Sequence, residues 1–225
     1  MLVGVLGVLG QEPSPEEVSK AINNLVELFR VMVEPARKTV QGFWAELLVI
    51  ASSTEPILLL DAWHTTPHDV YDFNSGHQRL EVKSARGRQR QHHFALNQLT
   101  SPEGVRVMIA SILVEPAGAG VSIADLLDEI RTRINVRPDL LIRLEQIVYA
   151  TLGETWRRAF EMQFDRELAQ QSLKFFDAAK IPAVSPAFPA SVSDVHFKSD
   201  LSNIPSLPKQ SLRAAGELFL AALPR

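Results

Sequence analysis

The most informative stretch of this 225-residue chain is Asp72-Phe-Asn-Ser-Gly-His-Gln-Arg-Leu-Glu-Val-Lys-Ser84. Asn74-Ser75-Gly76 is typical of the tight turn of a β-hairpin, and the residues on both sides of it favour strands. Side chains two positions apart on a strand share a face. Glu81 and Lys83 should therefore point the same way, while Val82 points toward a core.

The register of the hairpin decides whether Asp72 or Asp69 joins Glu81. A two-residue turn at Ser75-Gly76 places Asp72 opposite Arg79, on the face that carries Glu81. A three-residue loop would instead place Asp69 opposite Glu81, because a one-residue slip moves every side chain to the other face. We expect Asp72, because Asp69 follows too closely behind a proline for regular pairing to have begun.

An acid and a lysine side by side, with a further acid on the neighbouring strand, can hold a divalent cation and an attacking water. These groups are the minimum for metal-assisted hydrolysis of a phosphodiester. Hard oxygen ligands favour Mg²⁺ or Mn²⁺, which is held by one or two carboxylates and keeps several waters. Glu-x-Lys by itself is a short pattern that also occurs by chance, so the order of the other motifs along the chain matters.

The order of motifs along the chain resembles the PD-(D/E)XK nuclease superfamily. The similarity is greatest to a poorly characterised bacterial branch that is often found beside restriction and phage-defence genes, and it is best over residues 35–130. The segments that carry it are Gly42-Phe-Trp-Ala-Glu46-Leu-Leu, Trp63, Asp72-Phe73, Leu80-Glu81-Val82-Lys83-Ser84, and the run from His92-His93-Phe94 to Gln98-Leu99.

The resemblance implies a Mg²⁺- or Mn²⁺-dependent DNA endonuclease of restriction or phage defence, either as a homodimer or with other subunits of a defence complex. Asp72 and Glu81 would be the metal ligands, together with the backbone carbonyl of Val82. Lys83 would orient or help to deprotonate the attacking water and would stabilise the charge that grows on the phosphorane.

Two further residues complete the set of candidate catalytic groups. Glu46 lies at the margin of the apolar stripe of its helix and would hold a second ion through water. A solvated surface position for Glu46 is the alternative. Gln98 matches a glutamine that this branch often carries after the basic segment, and the sequence does not define its function.

A basic stretch without acids follows the hairpin. Arg86, Arg88, Arg90 and His92 are candidates for contact with the phosphate backbone of DNA. A solvated loop is the alternative interpretation. Adjacent His92 and His93 would face opposite ways on a strand, so we do not expect a histidine metal site there.

Two other functions stay open on the residues alone. The first is a catalytically inactive nuclease-like module that binds DNA or a partner within a defence complex. The second is a plain α/β scaffold in which Glu81 and Lys83 form a surface ion pair. Cleavage of plasmid DNA that depends on a divalent metal would separate an enzyme from both.

Composition excludes several other classes. The formal net charge of −3 argues against a protein that coats nucleic acid, and the absence of cysteine excludes disulfides and thiolate metal sites. No apolar run reaches transmembrane length. The apolar segment Met1–Gly10 lacks a clear basic region and cleavage site, so we expect a cytoplasmic protein. This segment is then a core strand or the exposed remnant of a longer protein.

Hydrophobic periodicity predicts an α/β fold, with a mixed central sheet and flanking helices. The resemblance implies a restriction-endonuclease-like αβββαβ core. We expect one nuclease-like domain over 1–225, with a core at about 35–135 and a helical and extended appendage at about 136–225. Helices are predicted at 14–33, 35–52, 122–134, 139–152 and 211–223. Further strands are predicted at 56–63, around Phe94, at 105–114 and at 192–201.

Overall fold

The structure, a computed structural model, describes residues 13–32, 38–64, 69–100, 102–184 and 191–225. The predictions for Met1–Gly10 and for a helix start at Pro35 lie outside the described residues. The helices are α1 Pro15–Val31, α2 Val40–Ser52, α3 Pro56–Ala62, α4 Leu96–Leu99, α5 Ile123–Arg133, α6 Pro138–Leu152, α7 Trp156–Glu161, α8 Arg166–Ser172, α9 Lys209–Ala215 and α10 Glu217–Ala221. The strands are β1 Phe73–Ser75, β2 Gln78–Ala85, β3 Gln91–Ala95, β4 Arg106–Leu113, β5 Pro116–Ser122, β6 Gln163–Phe164, β7 Lys174–Asp177 and β8 His196–Asp200.

Four strands form the central sheet in the order β1-β2-β4-β7. The β1–β2 and β4–β7 pairs are antiparallel, whereas β2 and β4 are parallel. Helices flank this mixed sheet, so the α/β prediction is confirmed. The strand β7 comes from the C-terminal part of the chain, which therefore contributes directly to the central sheet.

Local sequence signals placed several helices correctly. The Ser14 side chain accepts from the backbone of Glu17, and the Glu17 carboxylate accepts from the Ser14 backbone, which is the predicted capping box of α1. Ser122 caps α5 in the same way. The predicted strand at 105–114 is β4.

The prediction of a strand at 56–63 is wrong, because this segment is the helix α3. Pro56 stands at the start of the helix, where its missing N–H costs no hydrogen bond. Leu59 and Leu60 are completely buried, and a short apolar run of this kind does not distinguish a buried strand from a buried helix.

Two other predictions need correction. The strand around Phe94 exists as β3, but it pairs with β8 in a separate two-stranded sheet and not within the central one. The predicted helix at 211–223 is divided into α9 and α10 at Gly216, whose φ of 143° an L-residue rarely adopts.

The helix α2 is the centre of the main core. Every residue from Phe43 to Ser52 is buried, and α2 packs against β2 and α5. A second, smaller core contains Phe94, Ile109 and Phe176. The acid Glu46 is therefore held by a helix whose surroundings leave it little freedom to move.

No helix within the described ranges is both long enough and apolar enough to cross a membrane.

Candidate active site

The β-hairpin forms as predicted, but with a different turn. Phe73 lies opposite Leu80 and Ser75 lies opposite Gln78, so the two turn residues are Gly76 and His77 and not Ser75 and Gly76. Gly76 has a φ of 50°, which a glycine adopts without strain. The register differs from the predicted one by two residues, so every side chain stays on its expected face.

The alternation along β2 directs its polar side chains away from the main core. Leu80 and Val82 belong to the main core, whereas Lys83 lies 5.2 Å from the centre of the Phe94 ring in the smaller core. Nζ of Lys83 is 2.8 Å from Oε1 of Glu81. The structure therefore brings Glu81 and Lys83 together on one face.

Gln98 joins this pair from the short helix α4. Its Nε2 donates to Oε1 of Glu81 at 2.7 Å, and its Oε1 accepts from Nζ of Lys83 at 3.0 Å. The backbone N–H of Ala95 and the carbonyl of Val70 hold the same amide at 3.1 Å each. Gln98 is thus a rigid bridge between Glu81 and Lys83.

Asp72 lies beside Glu81, one position beyond the Phe73–Leu80 pair. The Asp72 backbone N–H donates to Oε2 of Glu81 at 3.2 Å, and Oδ2 of Asp72 accepts from the Val82 N–H at 2.8 Å. These contacts support the expectation that Asp72 joins Glu81. The choice of Asp72 over Asp69 as metal ligand stays a prediction.

Glu46 reaches the same region from α2. It is 2% exposed, so it is not a solvated surface residue. Oε2 of Glu46 accepts from the indole Nε1 of Trp63 at 3.1 Å, and Oε1 accepts from Nζ of Lys38 at 2.6 Å. Two donors therefore fix both oxygens of this carboxylate.

Lys38 and His64 also lie in this cluster, although neither was predicted from the sequence. Nζ of Lys38 is 2.5 Å from Oδ1 of Asp72 and 3.3 Å from Nε2 of His64. One ligand atom each from Glu46, His64 and Asp72 lies within 4.8 Å of the other two. His64 directly follows Trp63 of the family-like pattern, which is a weak signal, and no sequence signal distinguishes Lys38 from the other lysines.

The buried charges shift the pKa values of the carboxyl groups in opposite directions. Burial would raise the pKa of Asp72, but the Lys38 ammonium and the Val82 N–H lower it below its ordinary value. Burial and then the charge of Asp72 raise the pKa of Glu81 to about 7, against the opposing effect of Lys83. Burial would lower the pKa of Lys38, yet its carboxylate neighbours raise it.

The basic stretch divides into two parts. Arg86 and Arg88 are exposed, and Nε of Arg86 donates to Oε1 of Gln41 at 2.8 Å. These two arginines are accessible to a phosphate.

The proposed phosphate contacts of Arg90 and His92 need correction, because both side chains are buried. Nη1 of Arg90 donates to the carbonyl and the hydroxyl of Ser111 at 2.8 and 2.9 Å, and Arg90 also donates to the Ser172 carbonyl. Nε2 of His92 is 2.8 Å from the Ser111 hydroxyl, and burial lowers the pKa of His92 to about 4. A phosphate could reach these groups only if their hydrogen bonds were broken.

The donor set fits a hard divalent cation. Glu46, Asp72 and Glu81 bring three buried carboxylates together, and among the described residues the ammonium groups of Lys38 and Lys83 contact them directly. Burial, and then the neighbouring charge of Asp72, raise the pKa of Glu81 and so disfavour its charged form. An additional positive charge would stabilise this cluster.

Comparison with protein families gives one match. The family model described as "Putative PD-(D/E)XK family member, (DUF4420)" matches residues 2–202 of the chain. Neither the curated proteins nor the solved structures contain a match to this sequence.

Proposed function

Because the chain belongs to this PD-(D/E)XK family, we propose that it is a Mg²⁺- or Mn²⁺-dependent DNA endonuclease that hydrolyses phosphodiester bonds. The observation that supports this best is the contact of Glu81 with Lys83 on one face of β2, next to Asp72. We place the enzyme in the cytoplasm, in restriction or phage defence, as one nuclease-like domain that acts as a homodimer or with other subunits of a defence complex.

Asp72 and Glu81 would hold the metal ion, together with the backbone carbonyl of Val82. Both carboxylates are held in position before any ion binds, because backbone N–H groups of Val82 and Asp72 already orient them. When bound, the ion supplies Lewis-acid polarisation of the phosphate and a more acidic water. Glu46 would contribute to a second ion in the same cluster.

Lys83 would orient the attacking water and stabilise the negative charge that develops on the oxygens of the phosphorane. Its ammonium is held by Glu81 and by Gln98, so its position is defined before substrate binds. Its side chain is 18% exposed, which leaves a path for a substrate phosphate. Gln98 would act on the reaction through the two side chains that it bridges.

Arg86 and Arg88, which are both exposed, would contact the phosphate backbone of DNA. They directly follow the strand that carries Glu81 and Lys83, so a duplex bound to them would pass the candidate active site. Contacts of this kind provide affinity without sequence preference.

One observation favours the alternative of an inactive module that binds DNA or a partner. Oε1 of Glu81 accepts from Gln98 and lies beside Lys83, while Oε2 accepts from the Asp72 N–H. The carboxylate is thus satisfied by the chain itself. A metal ion that binds there must compete with these donors.

Incubation of the purified full chain with supercoiled and linear DNA, with Mg²⁺, Mn²⁺ or EDTA, tests the proposal. We expect cleavage with either metal, none with EDTA, and none by the Glu81→Gln variant. Binding of DNA by the wild-type chain without cleavage under any of these metal conditions would favour the inactive module.

A further inference from the structure

Lys38 is the one lysine in the described residues whose ammonium contacts both Glu46 and Asp72. Its Nζ is 2.6 Å from Oε1 of Glu46, 2.5 Å from Oδ1 of Asp72 and 3.3 Å from Nε2 of His64. These three residues are also the group whose ligand atoms lie close enough together to hold a metal ion. A positive charge therefore already sits where a metal ion would bind.

The side chain of Lys38 enters this cluster from the surface. It is 30% exposed, whereas the side chains of Glu46 and Asp72 are 3% and 6% exposed. Lys38 precedes Thr39, the N-cap of α2, so its backbone is not part of the helix. The ammonium could leave the cluster through rotations of its own side chain, with no movement of α2.

We infer that Lys38 is a built-in counter-ion, and that a divalent metal ion bound by Glu46, His64 and Asp72 displaces its ammonium. This inference rests on the proposed function and names the ligands of the second ion. Asp72 is the residue common to the proposed ligand sets of the two ions.

The ammonium and the metal ion cannot occupy the cluster together. Mg²⁺ binds oxygen at about 2.0–2.1 Å, and Nζ of Lys38 lies only 2.5–2.6 Å from oxygens of the two carboxylates that would be the ligands. An ammonium and a divalent cation that contact the same carboxylates would also repel each other strongly. Release of Lys38 is therefore a part of metal binding.

His64 makes the cluster a mixed nitrogen and oxygen site. Its Nε2 faces the ammonium, so a lone pair on this nitrogen would face a metal ion in the same place. An imidazole ligand favours Mn²⁺ over Mg²⁺, because Mg²⁺ is the harder cation and prefers oxygen ligands. Mn²⁺ is therefore the appropriate probe of this site.

The first test measures Mn²⁺ binding to the full chain by electron paramagnetic resonance, without DNA. Removal of the competing charge in Lys38→Met should tighten binding by about tenfold or more, since a neighbouring charge typically shifts a carboxyl pKa by about 1–3 units. Lys38→Arg keeps the charge and should bind no more tightly than wild type. The exposed Lys198→Met is the matched control. Equal affinities of Lys38→Met and Lys198→Met would overturn the inference.

The second test uses the wild-type chain, so it does not depend on the folding of a variant. Reductive methylation followed by mass spectrometry reports how accessible each lysine is. We expect Lys38 to be protected in EDTA and modified at least severalfold faster with saturating Mn²⁺, whereas Lys198 reacts equally in both. An unchanged rate at Lys38 with Mn²⁺ bound would contradict displacement.

The outcomes separate this inference from the proposed function. If the wild-type chain cleaves DNA with a metal ion but Lys38→Met does not change the Mn²⁺ affinity, the proposed nuclease function is supported and the counter-ion role of Lys38 is contradicted. If Lys38→Met binds Mn²⁺ more tightly but the wild-type chain cleaves no DNA, the counter-ion role of Lys38 is supported and the proposed nuclease function is contradicted. Failure of both the wild type and Lys38→Met to bind Mn²⁺ would contradict both.

Discussion

The backbone N–H of Asp72 donates a hydrogen bond to Oε2 of Glu81 at 3.2 Å. In return, the Asp72 carboxylate accepts from the N–H of Val82, the residue that follows Glu81 on β2, at 2.8 Å. The two contacts hold two acidic residues side by side at the edge of the central sheet. Because backbone groups of the hairpin make them, this arrangement needs no metal ion to form.

Lys83→Ala should lower metal-dependent cleavage by about 100-fold or more, since it removes the positive charge beside the reacting phosphate. DNA binding should stay close to that of wild type. Lys83→Arg should fail as well, because a planar guanidinium does not replace a compact ammonium between Glu81 and Gln98. Single-turnover cleavage rates and a filter-binding assay measure the two effects. Lys198→Ala is the control, and normal cleavage by Lys83→Ala would contradict the assignment.

Asp72→Asn should abolish cleavage, whereas Asp69→Asn should retain most of it. The amide keeps the size of the side chain at Asp72 but removes the charge that a metal ion and Lys38 both need. Cleavage assays with Mg²⁺ at equal protein concentrations compare the two variants. The reverse result would assign the ligand to Asp69.

The free energy of unfolding of the metal-free protein should depend on pH through Glu81. Burial and the charge of Asp72 raise the pKa of this carboxyl from 4.5 to about 7 in the folded state. The folded state then favours the protonated form, so this group's contribution to stability is present below about pH 4.5 and is lost as the pH rises to about 7.

Urea unfolding in EDTA across this pH range measures the effect as the difference between wild type and Glu81→Gln, which does not titrate. The difference should change by up to about 3 kcal/mol between pH 4.5 and pH 8. Saturating Mn²⁺ should flatten it, because a cation favours the charged carboxylate. Parallel pH curves for the two proteins in EDTA would contradict the shift.

Replacement of Arg86 and Arg88 by alanine should weaken DNA binding equally for all sequences. Each lost phosphate contact should reduce the slope of log affinity against log salt by about one unit. Fluorescence anisotropy with two unrelated duplexes at several salt concentrations measures both quantities. An unaltered slope would mean that these arginines belong to a solvated loop.

Arg90→Met should instead lower the free energy of unfolding, by about 2–4 kcal/mol, because the buried oxygens of Ser111 and Ser172 lose their donor. The exposed Arg88→Met should change it by less than about 0.5 kcal/mol. Thermal unfolding of both variants provides the comparison. Equal stabilities would show that the buried hydrogen bonds of Arg90 contribute little.

Some of the candidate site could be predicted because it depends on neighbours in the sequence. The alternation of β2 places Glu81 and Lys83 on one face whichever strand lies beside it, since successive side chains of a strand point to opposite sides. The capping box of α1 needs only residues three apart. The turn was predicted at the wrong residues, but the predicted faces of the strand residues were still correct, because a register shift of two residues keeps each side chain on the same face.

Contacts between segments that are distant in the sequence establish which groups complete the cluster and which are hidden from solvent. Lys38 meets Asp72 across 34 positions of chain, and Arg90 meets Ser172 across 82. The 56–63 segment is helical because of what it packs against, which its apolar composition leaves open. The burial of a charge, and the pKa that follows from it, is set by the elements that surround it. Local sequence thus defines the strand that carries the chemistry, whereas packing between distant segments defines the counter-charges around it.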